Sequence, residues 1–98
     1  MSRVSNPVFD PLIHAPQRLQ ICAVLDTLGE VEFAILRERL QVSESVLSKH
    51  IKTLEDAGYV FVTKNTRDSR VRGKASFTAA GRAAYRGHVQ ALRDIVGE

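Results

Sequence analysis

VEFAILRERLQVSESVLSKHIKTLEDAGYVFVTK, residues 31–64, is the stretch on which the fold turns. Ser43 can cap a helix through its hydroxyl, and Glu44 puts a negative charge in the first turn, where the helix dipole favours it. Leu47, Ile51 and Leu54 then recur at i, i+4 and i+7, the spacing of one helical face. The pattern predicts a helix over about residues 44–57, closed by Gly58. On a wheel at about 100° per residue, Ile51, Leu54 and Gly58 lie within about 40° of Leu47. Ser45, Lys49, Lys52 and Asp56 lie opposite, and Ser48 flanks them. One side of this helix is built for a core, and the other offers hydroxyls and amines.

The flanking segments complete a plan. Upstream, Phe33, Ile35, Leu36 and Leu40 read as a shorter helix, with Gln41 and Val42 as a tight turn and Glu30-Val31-Glu32 as a short strand. Further upstream, Pro16 can open a helix, where its missing N–H costs nothing, and Gly29 can stop it. Ile21, Val24, Leu25 and Leu28 fall on one side of that helix. Residues 1–11 carry Pro7 and Pro11 without a helical period and are expected to be an extended arm, with residues 12–98 forming a single domain. Downstream, β-branched and aromatic residues 59–63 predict a strand, residues 66–73 a polar loop, and Ala75-Ser76-Phe77 the returning strand. Thr78 caps a last helix over about residues 79–96. The expected fold is mainly α with a small β-hairpin, in the order of a winged helix-turn-helix.

Charge is distributed unevenly. The chain of 98 residues has a net charge of +3 and 44% apolar residues, enough for one modest core. Residues 41–74 hold Lys49, Lys52, Lys64, Arg67, Arg70, Arg72 and Lys74 against Glu44, Glu55, Asp56 and Asp68. The remaining residues balance to zero, so the whole excess sits in one segment. Such asymmetry points to an anionic partner. An α-helix fits the major groove of B-DNA, and an Arg-bearing loop can follow phosphates or enter the minor groove.

The helix phrase SVLSKHIKTL (residues 45–54), followed by Ala57-Gly58-Tyr59-Val60, resembles the helix-turn-helix of the MarR/ArsR-like winged-helix transcriptional regulators. The phrase FTAAGR (residues 77–82) resembles the strand-to-helix passage after the wing, and PQRL (residues 16–19) the start of the first helix. The likeness covers about residues 12–97. It implies that Ser45, Ser48, Lys49 and Lys52 face the major groove, and that Arg67, Arg70 and Arg72 serve the wing. Ser43 at the cap and Lys64 and Lys74 flanking the loop complete the expected DNA-binding set. The likeness also implies a homodimer on double-stranded DNA, with an inverted repeat as its target. In the last helix, Tyr85, Val89, Leu92 and Val96 form an apolar seam at i, i+4, i+7 and i+11. With Leu19 and Leu25 of the first helix, this seam is the expected dimerisation surface.

Other chemistries find little support. Some ArsR-like relatives sense metals through paired cysteines, but Cys22 is the only cysteine and reads as a small core residue. His14, His50 and His88 are far apart in sequence and lack ligand spacing, so no metal or other cofactor is expected. Glu55-Asp56 reads as a solvated helix end. No phosphate-cradling Gly-rich loop or nucleophile–base pattern is present, so an enzyme is not expected. No apolar run reaches a membrane span, and a cytoplasmic location is expected. The rival reading is a winged helix used for protein–protein contact without DNA.

Overall fold

The computed structural model describes residues 8–67 and 70–97, apart from the side chains of Arg67, Arg70 and Val71. The elements are α1 (Pro11–His14), α2 (Pro16–Leu28), β1 (Val31–Glu32), α3 (Phe33–Leu40), α4 (Glu44–Asp56), β2 (Val60–Arg67), β3 (Arg70–Phe77) and α5 (Ala79–Val96). The three strands form one antiparallel sheet in the order β1-β3-β2. This is the winged helix-turn-helix expected from the sequence. Among the described residues, no helix is long and apolar enough to cross a membrane.

Local chemistry sets most boundaries. Pro16 occupies the first turn of α2, and Gly29 ends it at φ 84° with its N–H on the Leu25 carbonyl. The turn between α3 and α4 is made by Gln41 at φ 58°, whose N–H reaches the Arg37 carbonyl at 2.7 Å. Ser43 caps α4 by accepting from the Val46 N–H at 3.2 Å. At the other end Gly58, at φ 80°, donates to Glu55, and Tyr59 donates to Leu54. That pair of reversed bonds is a Schellman stop. Thr78 caps α5 by accepting from the Gly81 N–H at 2.9 Å, and its own hydroxyl donates to the Gly58 carbonyl at 2.6 Å. Residue 81 must be glycine here, because a Cβ would run into the Tyr59 carbonyl. The start of α5 is therefore welded to the exit of α4.

The core gathers Ile13, Ile21, Cys22, Leu25, Leu36, Leu47, Ile51, Leu54, Val60, Ala75 and Phe77. The stripe on α4 is what fixes that helix: Leu47 and Leu54 are completely buried. Burial of such a side chain stabilises by about 1.5–3 kcal/mol. Leu25 is also completely buried inside this core. It has no surface to offer a partner, so its expected place in a dimer contact is corrected. Helical periodicity identifies an apolar face, not what covers it.

Two further expectations change. The arm expected over residues 1–11 ends earlier, at Asp10, because Pro11 opens α1. Asp10 caps that turn, its carboxylate accepting from the Leu12 and Ile13 N–H groups at 3.0 and 3.3 Å. Residues 1–7 of the arm lie outside the described residues. The loop expected over residues 66–73 is mostly strand: β2 and β3 pair continuously from Val60↔Phe77 to Arg67↔Arg70. The hairpin ladder thus runs over eight residue pairs. Residues 64–72 hold one apolar residue, Val71, so no apolar alternation marks the outer part as strand.

Candidate nucleic-acid interface

The outer face of α4 is turned to solvent. Ser45, Ser48, Lys49 and Lys52 are all exposed. Ser43 is exposed too, but its hydroxyl is engaged by the Val46 N–H and lies 3.3 Å from the Ser45 hydroxyl. Lys52 is held 3.1 Å from Asp56 one turn on. Both partners of that pair are solvated, so the pair is weak and Lys52 can exchange Asp56 for another anion. The inner flank carries His50, whose Nδ1 lies 3.4 Å from an Arg18 guanidinium nitrogen and whose Nε2 lies 2.8 Å from Gln17 Oε1. Arginine only donates, so Nδ1 accepts and the His50 proton sits on Nε2. His50 fastens α4 to α2.

The hairpin register sorts the expected wing cations. Lys64 stands opposite Gly73 and Val62 opposite Ala75, on the face turned toward α4. Asn65 opposite Arg72 and Thr63 opposite Lys74 form the other face. Arg72 is exposed. Lys74 sits at the base of the wing, 3.9 Å from Glu30 beside β1. Arg67 and Arg70 close the ladder at its tip, and their side chains lie outside the described residues. Asp68 and Ser69, in the middle of the expected loop, also lie outside them.

Two clefts flank the base of the wing. One, of about 430 Å³, lies between α4 and β2 and is lined by Phe33, Ser48, Ile51, Lys52, Glu55, Val62 and Lys64. The other, of about 320 Å³, is lined by Glu32, Phe33, Ala34, Arg37, Glu44, Arg72 and Gly73. Phe33 is common to both. A Cβ at residue 73 would come within 3.1–3.3 Å of the Phe33 ring. Gly73 thus serves ring packing inside a strand, where the sequence suggested a loop. Arg37 is a candidate that the sequence reading missed. Only the fold, which sets α3 beside β3, pairs it with Arg72.

Cys22 is buried in the core, and its thiol is pushed up to about 12 by burial first and by the Asp10 carboxylate second, with Arg18 pulling the other way. A thiol held protonated in this way is inert. Among the described residues no group of three or more His, Cys, Asp and Glu is arranged to hold a metal.

On α5, the inner face carries Gly81, Gly87, His88 and Ala91, all buried. Tyr85 packs on the core, its ring centroid 5.9 Å from that of Phe77. Val89 and Leu92 are half-buried, while Ile95 and Val96 are 68% and 67% exposed. Leu19 on α2 is half-buried against the core. The seam expected from periodicity is therefore divided: Tyr85 turns inward, and its C-terminal end joins Ile95 at the surface.

Residues 17–96 match the family described as winged helix DNA-binding domain. The uncharacterized protein MJ0432 of Methanocaldococcus jannaschii is 33% identical over 78 residues, which span 80% of this chain and 85% of that protein. The transcriptional regulator homologue of Pyrococcus horikoshii has a TM-score of 0.81 at 24% identity, over 88% of this chain and 85% of its own. The Mycobacterium tuberculosis transcriptional regulator MOSR, solved in complex with DNA, has a TM-score of 0.70 at 23% identity, over 89% of this chain and 62% of its own. These two structures bear out the fold, and the family match bears out the likeness first seen in residues 45–60. The chain belongs to the winged helix DNA-binding domain family.

Proposed function

We propose that this protein is a transcriptional regulator that binds a specific duplex DNA sequence as a homodimer. One observation carries the reading. The apolar face of α4 is locked into the core, while Ser45, Ser48, Lys49 and Lys52 stand exposed on its other side. A helix so presented fits the major groove, with its N-terminal half toward base edges. Ser45, Ser48 and Lys49 are the base-reading candidates. Ser43, Lys52, Lys64 and Arg72 are the phosphate candidates, with Arg67 and Arg70 at the wing tip. Lys74, engaged at the wing base, is given the smallest share. MOSR, a regulator of the same fold solved in complex with DNA, supports this use of the fold.

The dimer rests on α5. This helix leans on α1 and β3 within its own chain, and its last turn leaves Ile95 and Val96 in water. A second copy would cover them together with Val89, Leu92 and, at the edge, Leu19 and Tyr85. Two recognition helices related by a two-fold axis would then read an inverted repeat with half-sites about 34–36 Å apart. The test is selection of bound duplexes from a random pool, followed by affinity measurement on the selected and scrambled sequences. A palindromic consensus is expected. Recovery of no enriched sequence, with binding absent even at low salt, would replace this reading with that of a protein–protein module.

A further inference from the structure

His88, on the inner face of α5, is the one fully buried polar side chain among the described residues. Its surroundings define its protonation. The Asp10 backbone N–H points at His88 Nδ1 at 2.9 Å. A backbone N–H can only donate, so Nδ1 is an acceptor and the neutral ring carries its proton on Nε2. That nitrogen faces His14 Nδ1 at 3.2 Å, so His88 donates and His14 accepts. The same assignment leaves neither facing nitrogen pair free to share a metal ion. Phe9 closes over both rings, with centroids 4.8 Å from His14 and 4.7 Å from His88.

Asp10, the one acid at this site, is already committed. Its Oδ1 accepts the two capping N–H groups of α1, and its Oδ2 accepts the Tyr59 hydroxyl at 2.6 Å. Tyr59 immediately follows the α4 stop. A second chain of bonds runs parallel to the first. The Leu12 carbonyl accepts from Arg18 Nε at 2.7 Å, and Arg18 in turn donates to His50 on α4. The short turn of residues 9–14 is thus wired to α5 through His88, to the end of α4 through Tyr59, and to the middle of α4 through Arg18 and His50.

Every histidine nitrogen that accepts in this network would become a donor on taking up a proton. It would then face another N–H, or in His50 the Arg18 cation. We infer that residues 9–14 form an acid-released latch, docked on α5 and α4 while His50 and His88 are neutral and freed when they gain protons. The balance of charges agrees. His88 is pushed below the ordinary histidine value by burial first and by His14 second, against the opposing pull of Asp10. His50 is pushed down by burial and then by Arg18. A histidine that resists protonation when docked takes up its proton preferentially when released. The docked state is therefore fully favoured above the free-histidine pKa of about 6.5 and loses ground as pH falls below it. The open population should rise by up to about tenfold per pH unit for each histidine that titrates.

The test uses the full chain. Long-range ¹⁵N spectra at pH 7.5 should show the Nε2–H tautomer at both His88 and His50. Amide exchange, corrected for the intrinsic rate, should show the Asp10 protection factor falling below pH 6.5 by up to about tenfold per pH unit for each histidine that titrates. The amides of Leu47, Ile51 and Leu54 should stay better protected than Asp10 at every pH, because the latch opens without global unfolding. His88→Asn places an amide oxygen where Nδ1 accepts, but cannot titrate, and should flatten the Asp10 response. If that variant does not fold, the wild-type spectra and exchange decide alone. A Nδ1–H tautomer at His88, or constant Asp10 protection from pH 7.5 to 5, would overturn the inference. So would Asp10 protection equal to that of the α4 core at every pH, which would mean that Asp10 exchanges only by global unfolding.

Discussion

Replacing Gly81 by alanine should destabilise this protein, although alanine is the better helix former. Within a helix the exchange is ordinarily favourable by up to about 1 kcal/mol. At residue 81 the added methyl meets the Tyr59 backbone carbonyl, which no side-chain rotation can move aside. Relief requires α5 to shift from the α4 exit. That strains the Thr78–Gly58 bond of 2.6 Å and the Thr78–Tyr59 backbone bond of 3.0 Å. Overpacking costs about 1–3 kcal/mol and a weakened cap about 1 kcal/mol more. The net is a loss of about 1–3 kcal/mol after the helix gain is subtracted. For a domain of this size that is a fall in Tm of roughly 5–20 °C. Thermal unfolding by circular dichroism at fixed protein concentration measures it. Gly97→Ala is the comparison: its φ is +85° but nothing lies within 4 Å, so only about 1 kcal/mol of backbone strain is expected. If Gly81→Ala melts at or above the parent temperature, the weld between α4 and α5 is not what holds the two together.

Ser48→Ala and Lys49→Ala should each weaken binding to the selected duplex by about 1–3 kcal/mol with unchanged helicity; fluorescence anisotropy showing parental affinity in both would remove α4 from the interface. Changing Arg67, Arg70 and Arg72 together to alanine should lower affinity for all sequences and reduce the log–log salt slope by about 0.9 for each phosphate no longer neutralised, so an unchanged slope takes the wing off the DNA. Leu92→Asp should yield monomers in light scattering and lose most affinity for an inverted repeat; a wild-type chain that is itself monomeric at micromolar concentration defeats this reading. Global stability in urea should fall between pH 7 and pH 5, because the depressed His50 and His88 bind fewer protons folded than unfolded. Equal midpoints at the two pH values would contradict it.

The sequence is most legible where structure is set by neighbours along the chain. Ser43, Thr78, Pro16, Gly29 and Gly58 act within a few residues of themselves, and the helices they bound fall close to where those residues point. The α4 stripe is equally plain, since apolar residues at i, i+4 and i+7 would scatter over both faces of a strand but share one face of a helix. Asp10-Pro11 is a usable cap signal, but four residues are too few to show a period. The outer wing is opaque because residues 64–72 hold one apolar residue, Val71, and so carry no alternation. Arg37 and Arg72 on one cleft, and His14 bonded to His88, come from distant segments, and no local pattern announces such neighbours. Leu25 and the α5 seam show the same limit in another form. An apolar face declares that something covers it, and only the folded chain distinguishes its own core from a second copy.

The position of β2 in the sheet has a consequence for solubility. With the strand order β1-β3-β2, β2 is an outer strand, and its eight residues, Val60–Arg67, present one whole side of backbone with no partner strand among the described residues. An open margin of that length invites another copy to add itself in register. The hairpin instead meets a second hairpin with Lys64, Arg67, Arg70, Arg72 and Lys74, a cluster that repels its own kind. The cations proposed to meet phosphates would thus also keep wings apart. Replacing them to dissect DNA binding removes that protection as well, and the stripped protein should be the one most prone to self-association.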